Sequence, residues 1–434
     1  MVDKEAKRVL IKDITPADFG KEIVLKGWVK EIRDLSKVKF MVLRDISGVI
    51  QVTGVKSETP PEVFDLFSKI PHESSVEVVG KVKESKQAPG GREILPDSIK
   101  IIGKSELMLP IDVTDYSKTE LPKRLDNRAV DFHSARTQAI FKIQSEISYS
   151  FQEFFKSNGF MQIQPPSIIS SASEGGTELF PVKYFEKNAY LAQSPQLYKQ
   201  MAACSFEKVF CITPVWRAEK HNTIRHLNES RQMDIEVAFE DEFGVMKYIT
   251  SVVQHMVKKV KENCKKELEL LKVEVEVPAE KYLTFQETVD LLKKNGVEID
   301  DDISPEGERK LCELFPNTVL LVHDWSRKVK PFYIMPKTLD EDEMISKGFD
   351  ALYGGIEISS GGQRVHLPEL LIEQLKMKGL NPDNFKSYVD SFRYGAPIHS
   401  GWSIGLERFT MALLELDNIR EACLFPRDRD RLTP

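Results

Sequence analysis

Cysteine is scarce. Five residues, Cys204, Cys211, Cys264, Cys312 and Cys423, are scattered over 434 positions with no C-x-x-C spacing. Neither a disulfide framework nor a thiolate zinc site is expected. Histidine is thin at eight residues, and no H-x₃-H pair signals a transition metal. No apolar run is long enough to span a bilayer, and the opening MVDKEAKRVL lacks a signal-peptide pattern. A cytoplasmic protein without membrane association is therefore expected. An excess of positive charge is also missing. With 61 basic and 67 acidic residues the net charge is −6, which argues against a non-specific nucleic-acid binder but leaves room for local basic patches. The remainder, 41% hydrophobic and 29% charged, is ordinary for a globular chain long enough for two or three domains.

Residues 1–105 read as a small β domain. VLKGWVKEI, KFMVLRD, GVIQVTG, SVEVVGKVKE and EILPDSIKIIG are short, β-branched and alternating, with turns at Asp45–Gly48 and Pro89–Gly91. Five such strands, with the helical pattern PPEVFDLFSKI between the third and fourth, predict an OB-type barrel. Such barrels bind single-stranded nucleic acid through aromatic and basic residues on one face, and Arg33, Phe40 and Gln51 are the candidates. Alternation alone would bury Phe40 in the core. Residues 106–135 are rich in proline and charge and read as a linker, in which Lys123, Arg124 and Arg128 are first of all solvated residues.

The third region, 136–434, opens on a helix with Ile140, Ile143, Ile147, Phe151 and Phe154 on one face, ended by Gly159 and followed by the strand FMQIQPPSI. SEGGTELF reads as a loop that moves, and AQSPQLYKQ clusters Gln193, Ser194, Gln196 and Lys199. FCITPVW and MDIEVAF then read as two strands of a hairpin, the second with Met233, Ile235, Val237 and Phe239 on one face. The polar loop between them carries Arg217 and Glu219 at its start. A guanidinium fixed on a strand suits an anion that must be oriented, such as a phosphate; an ordinary surface hairpin is the equal alternative. A charged helix is expected over 241–270, an acidic insertion over 272–345, and two strands in VLLVHDWSRKVKPFYIM. In SKGFDALYGGIEISSGGQRVH, Glu357 stands between Ile356 and Ile358, which would point into the core. It is the best candidate ligand for a hard divalent ion, ahead of Asp350 and Ser360. In GWSIGLERF the small Gly401, Ser403 and Gly405 leave backbone room for a flat ligand, and Arg408 starts a helix.

Three of these stretches resemble, in order, the three motifs of class II aminoacyl-tRNA synthetases. NGFMQIQPPSI with Pro166 resembles motif 1, WRAE…RHLNE…DIE motif 2, and GWSIGLERF motif 3. The likeness spans essentially the whole chain and comes nearest to the archaeal and eukaryotic aspartyl type. It implies an α+β fold: an OB barrel for the anticodon, then a catalytic domain on an antiparallel sheet flanked by helices. It also implies a homodimer built on the motif 1 helix and strand. The activity implied is activation of L-aspartate with ATP and Mg²⁺, followed by transfer to the 3′ end of tRNA.

The resemblance assigns residues. ATP would be held by Arg217 on the α-phosphate, Arg408 on the γ-phosphate, Glu219 at the adenine, and Arg225, His226, Leu227, Ser360 and Gly405. Magnesium would sit at Glu357. Aspartate would be read by Glu174 near its ammonium, and by Gln196, Lys199 and Arg364, the last two meeting its side-chain carboxylate. Arg33, Phe40 and Gln51 would hold the central anticodon uridine, and Lys123, Arg124 and Arg128 of the linker would contact the RNA. Two departures stand out. Ser230, followed by Arg231, occupies the position where many members stack an aromatic on adenine. Lys30 and Pro89 stand where archaeal members strict for the aspartate tRNA tend to have Trp and Lys, which points to an enzyme that also charges the asparagine tRNA. Asparaginyl relatives lack a lysine like Lys199, and two cations without their anion would reject asparagine. The rivals are an asparaginyl-tRNA synthetase, an asparagine synthetase, and a non-catalytic RNA-binding paralogue.

Overall fold

The computed structural model describes residues 7–114, 118–171, 178–339 and 344–434. They form two compact units, Met1–Ser134 and Ala135–Pro434. In the first, β1 (Glu22–Asp34), β2 (Val38–Arg44), β3 (Val49–Val55), β4 (Ser75–Glu84) and β5 (Arg92–Gly103) close into a barrel in the order β1-β2-β3-β5-β4, with α1 (Pro61–Phe67) between β3 and β4. Alternation builds it: Met41 and Leu43 of β2, Ile50 and Val52 of β3, and Val76 and Val78 of β4 are fully buried. Phe40 belongs to the other half of the alternation. It is only half-buried and pairs across the ladder with Arg33 and Thr53, so it lies on the outer face and not in the core.

The expected linker is not plain coil. It carries α2 (Leu121–Asp126) and α3 (Arg128–Asp131). Arg124 and Arg128 both pair with Asp131, at 2.8 and 2.5 Å, and Arg128 is 1% exposed. Arg128 is thus a buried structural cation, which corrects both expectations for it, a solvated linker residue and an RNA contact.

The second unit begins with α4 (Ala135–Ser157), then β6 (Met161–Gln162), a small sheet of β7 (Ile168–Ile169), β8 (Pro181–Tyr184) and β9 (Lys187–Leu191), and α5 (Gln196–Phe206). The hairpin follows as β10 (Lys208–Trp216) and β11 (Glu229–Ala238), then α6 (Glu242–Asn263), α7 (Lys265–Leu271), β12 (Ala279–Thr284), α8 (Phe285–Lys294), α9 (Pro305–Leu314) and β13 (Thr318–His323). The chain closes with β14 (Gly348–Tyr353), β15 (Ile356–Gln363), α10 (Pro368–Met377), α11 (Lys386–Phe392), β16 (His399–Gly405) and α12 (Leu406–Leu413). Eight strands form one sheet, in the order β12-β13-β14-β15-β16-β11-β10-β6. The central pairs are antiparallel as expected; the two edge pairs, β12 with β13 and β6 with β10, are parallel.

Several local expectations are corrected. The helix expected over 241–270 breaks at Cys264 into α6 and α7. VLLVHDWSRKVKPFYIM contributes one strand, β13, and isolated bridges. Phe239 does not continue the β11 face: the strand ends at Ala238, and Phe239, with φ 65°, is 74% exposed. Helices α4, α6 and α12 pack on one face of the sheet. On α6, Val245, Ile249, Val252, Met256 and Val260 recur every three or four residues and are fully buried. That face is filled with apolar side chains, so the polar half of each strand is directed to the opposite face.

Candidate active site

Two rows of the sheet ladder lay out the polar face. In the first, Asp350 opposes Ser360, Ser360 opposes Ser403, and Ser403 opposes Asp234. Directly opposed residues share a face, so four strands present an unbroken polar row. In the second, Gly348 opposes Gly362, Gly362 opposes Gly401, and Gly401 opposes Glu236. A Cβ on Gly401 would lie 2.2 Å from Glu236 Oε2. Three glycines in a row leave a trough, and the Glu236 carboxylate lies in it.

Cations fill the trough. Lys199 on α5 donates to Asp234 Oδ1 at 2.7 Å and to the Trp402 carbonyl at 3.0 Å, with Glu236 Oε2 at 3.5 Å. Arg364 grips Glu236 with Nε at 2.8 Å and a terminal nitrogen at 3.2 Å. All four side chains are buried. Burial would raise the Glu236 carboxyl, but Arg364 and Lys199 outweigh it and hold it below the ordinary range. For Asp234 burial wins over Lys199, and its carboxyl is raised. Gln196 donates to Gln200 at 3.0 Å, and Gln200 accepts from Tyr388 at 2.8 Å, closing the floor.

Above this network lies a cleft of about 410 Å³. It brings together Gln196, Arg217, Glu219, Arg225, His226, Leu227, Asp350, Glu357, Ser360, Arg364, Gly405 and Arg408 from stretches far apart in sequence. Ser230 also lines it, while the Arg231 side chain turns to Glu229 at 3.0 Å. Lys199 does not line the cleft. It is 1% exposed, beneath Asp234, so the expected direct view of a substrate is corrected to a position one layer down. Asp234 and Glu236 neutralise both cations in this structure. Glu174 lies outside the described residues.

Glu357 reaches the cleft through a bulge. Strict alternation from Ser360 would turn it to the core. The register slips between Ala351 and Leu352, which oppose Ser359 and Glu357, so Ile358 is the extra residue. Ile356 and Ile358 both go into the core, and Glu357 shares the cleft with Ser360. Burial, then the charge of Asp350, pushes the Glu357 carboxyl up to about 7, against the pull of Arg408, whose guanidinium is 3.7 Å away. His226 is pushed down by burial and by Arg408.

Sequence reasoning missed five polar groups here. The same alternation that placed Met233 and Ile235 in the core could have found Asp234 and Glu236. Glu407, which accepts the Arg231 backbone N–H with both oxygens at 3.0 and 3.2 Å, could have been suspected from GLERF. Burial raises its carboxyl to about 7. Nothing local marks Lys330, which holds both Asp350 oxygens at 2.6 Å, or Glu308 of α9, which pairs with Arg225 at 2.6 Å.

Residues 120–429 match the family described as tRNA synthetases class II (D, K and N), and residues 23–102 match the OB-fold nucleic acid binding domain. The chain belongs to the class II aminoacyl-tRNA synthetases. The synthetase is 45% identical to the aspartate–tRNA(Asp/Asn) ligase of Methanopyrus kandleri over 97% of this chain and 98% of that one. It is 44% identical to the aspartate–tRNA(Asp) ligase of Thermococcus kodakarensis, over 97% and 98%. The solved asparaginyl-tRNA synthetase of Pyrococcus horikoshii, complexed with asparaginyl-adenylate, superposes with a TM-score of 0.93 at 32% identity, covering 99% and 100%. The synthetase is an aminoacyl-tRNA ligase, and its family uses ATP.

A hard divalent ion fits the synthetase at Glu357, a carboxylate 35% exposed that lines the cleft beside Ser360. Asp350, named beside it, is clamped by Lys330 and is the poorer donor. No group of three or more metal-binding side chains occurs among the described residues. One carboxylate suffices when a triphosphate and water complete the shell. On the synthetase's barrel, Arg33 and Phe40 are cross-strand partners, and Gln51 donates to Thr53 at 3.1 Å and Glu93 at 3.0 Å. Lys30 is half-buried and Pro89 exposed.

Proposed function

We propose that this synthetase activates L-aspartate with ATP and transfers it to the 3′ end of tRNA, charging the asparagine tRNA as well as the aspartate tRNA. The observation that carries aspartate is the neutral network of Lys199, Arg364, Asp234 and Glu236. Aspartate can re-pair it without leaving a charge alone: its ammonium takes Asp234 at the cleft wall, and its side-chain carboxylate takes the cations released. Asparagine brings the ammonium but no second carboxylate, so a buried cation is stranded.

The α-carboxylate of aspartate attacks the α-phosphorus of ATP, forming the mixed anhydride and expelling pyrophosphate. The 3′-hydroxyl of the terminal ribose then attacks the acyl carbon and releases AMP. The first step needs alignment and neutralised charge more than proton transfer. Arg217 meets the α-phosphate and Arg408 the γ-phosphate. Glu219 meets the adenine, while Arg225, His226, Leu227 and Gly405 shape the pocket round the nucleotide. Mg²⁺ at Glu357 and Ser360 would neutralise and orient the triphosphate. Arg33, Phe40 and Gln51 receive the anticodon on the barrel.

Six of eight aspartate ligases at 43–45% identity are named for both tRNAs, and the other two for the aspartate tRNA alone. With Lys30 and Pro89 in the barrel, this supports the relaxed reading. A homodimer through α4 and β6 is part of the same proposal, supported by exposed Tyr149 and Met161. ATP–pyrophosphate exchange with aspartate against asparagine, then charging of the two purified tRNAs, tests the reading. Exchange with asparagine alone would sink the aspartate assignment. Absence of product on the asparagine tRNA would sink the relaxed one.

A further inference from the structure

We propose that the C-terminal segment 418–430 is a clasp that orders the nucleotide loop before ATP arrives, with Arg420 as its positioning residue. This rests on the reading that residues 217–229 hold ATP.

Residues 217–228 contain no helix or strand. Asn228 ties the loop's ends by donating to the Arg217 and Glu219 carbonyls at 2.7 and 3.0 Å, Thr223 meets His226 at 2.6 Å, and further holds come from outside the loop. Arg420, 9% exposed, bridges the two segments. Its Nε donates to Asp428 Oδ2 at 2.5 Å. Its terminal nitrogens donate to the Asn222 side-chain oxygen at 2.6 Å and the Thr223 carbonyl at 3.0 Å. Asn222 also donates to Asp430. The backbone joins in. Ile419 N–H donates to the Ile224 carbonyl at 2.9 Å, and Asn228 N–H to the Arg427 carbonyl at 2.8 Å. Arg429 donates to the Lys220 carbonyl at 3.2 Å. The tail thus holds the loop near its start, middle and end.

A loop left free must lose its conformational entropy when ATP binds, which weakens binding. A loop already clasped has lost it on folding. Only a planar guanidinium can span Asp428, Asn222 and Thr223 together. Arg420 touches no reacting atom on this reading; it acts through the loop.

The test compares wild type with Arg420→Ala, Arg420→Lys and, from the loop side, Asn222→Ala. Trypsin cleavage at Lys220 and Arg225 without nucleotide reads loop order. Exchange kinetics read the KM for ATP and for aspartate separately. Loss of a charge-assisted clasp is expected to raise loop cleavage and the ATP KM roughly tenfold, with the aspartate KM unchanged and Arg420→Lys intermediate. If Arg420→Ala fails to fold, the exposed Asn222→Ala carries the test. Wild-type cleavage and ATP KM in the folded variants would overturn the clasp. If wild type lacks ATP-dependent exchange, the ATP reading fails, and the cleavage rates still decide the clasp.

Discussion

Lys199 Nζ lies 2.7 Å from Asp234 Oδ1, with both side chains almost wholly out of water. Two such charges are tolerated because each is the other's partner. The pair adjoins the cleft that Asp234 lines, so on the proposed reading it is both a structural element and a reserve of charge for binding.

Lys199→Ala should therefore hurt twice. Removing one member of a buried pair typically costs about 3–5 kcal/mol because the other is stranded. We expect a lower denaturation midpoint and loss of aspartate-dependent pyrophosphate exchange. Lys199→Ala with wild-type stability and exchange would contradict the network described here.

Glu407 gives a pH signature. Its carboxyl is raised from 4.5 to about 7 by burial, so the folded state holds a proton that the unfolded state has released. Its contribution is complete below the unfolded value and is lost as pH rises through the folded one. Stability should fall on this account between about pH 4.5 and 7, by on the order of 3 kcal/mol. Denaturation midpoints across that range, wild type against Glu407→Gln, isolate the effect; parallel profiles would exclude it.

Metal binding at Glu357 should depend on pH in the opposite sense. The carboxyl is pushed up to about 7, and an ion must displace its proton. Mn²⁺ affinity in the presence of ATP, read by the ion's paramagnetic resonance, should strengthen from about pH 6 to 8. Glu357→Gln should abolish the dependence together with the tight ion. A variant that keeps both would place the ion elsewhere.

Phe40→Ala should separate RNA binding from amino-acid activation. The ring lies on the outer barrel face, so its loss leaves the core intact. Stacking on a base is worth about 1–3 kcal/mol, so tRNA affinity should fall by one to two orders of magnitude. Pyrophosphate exchange, measured without tRNA, should be unchanged. An unaltered tRNA affinity would remove Phe40 from the interface.

Features with a short period were legible in the sequence. The barrel's five strands follow from alternation, and the α4 face from apolar residues every three or four positions. Glu357 stood out because Ile356 and Ile358 beside it must turn inward, Arg217 because it ends a strand before a polar loop, and Arg408 because it starts a helix after small residues. Where a regular period breaks, reading was harder. The bulge at Ile358 explains how Glu357 and Ser360 share a cleft, and a strict alternation cannot place both. Phe239 failed for a similar reason: its backbone turns to positive φ just past the strand.

The sequence by itself determined the elements and their motif order, because hydrophobic period and turn chemistry act over a few neighbouring residues. The tertiary structure alone decided which charges meet. Lys199 finds Asp234 35 residues away, Arg364 finds Glu236 across 128, and Arg420 finds Asn222 across 198. A charged side chain carries no local mark of its partner. The pairing is set when strands far apart in the chain are brought side by side and burial makes an unpaired charge too costly to keep.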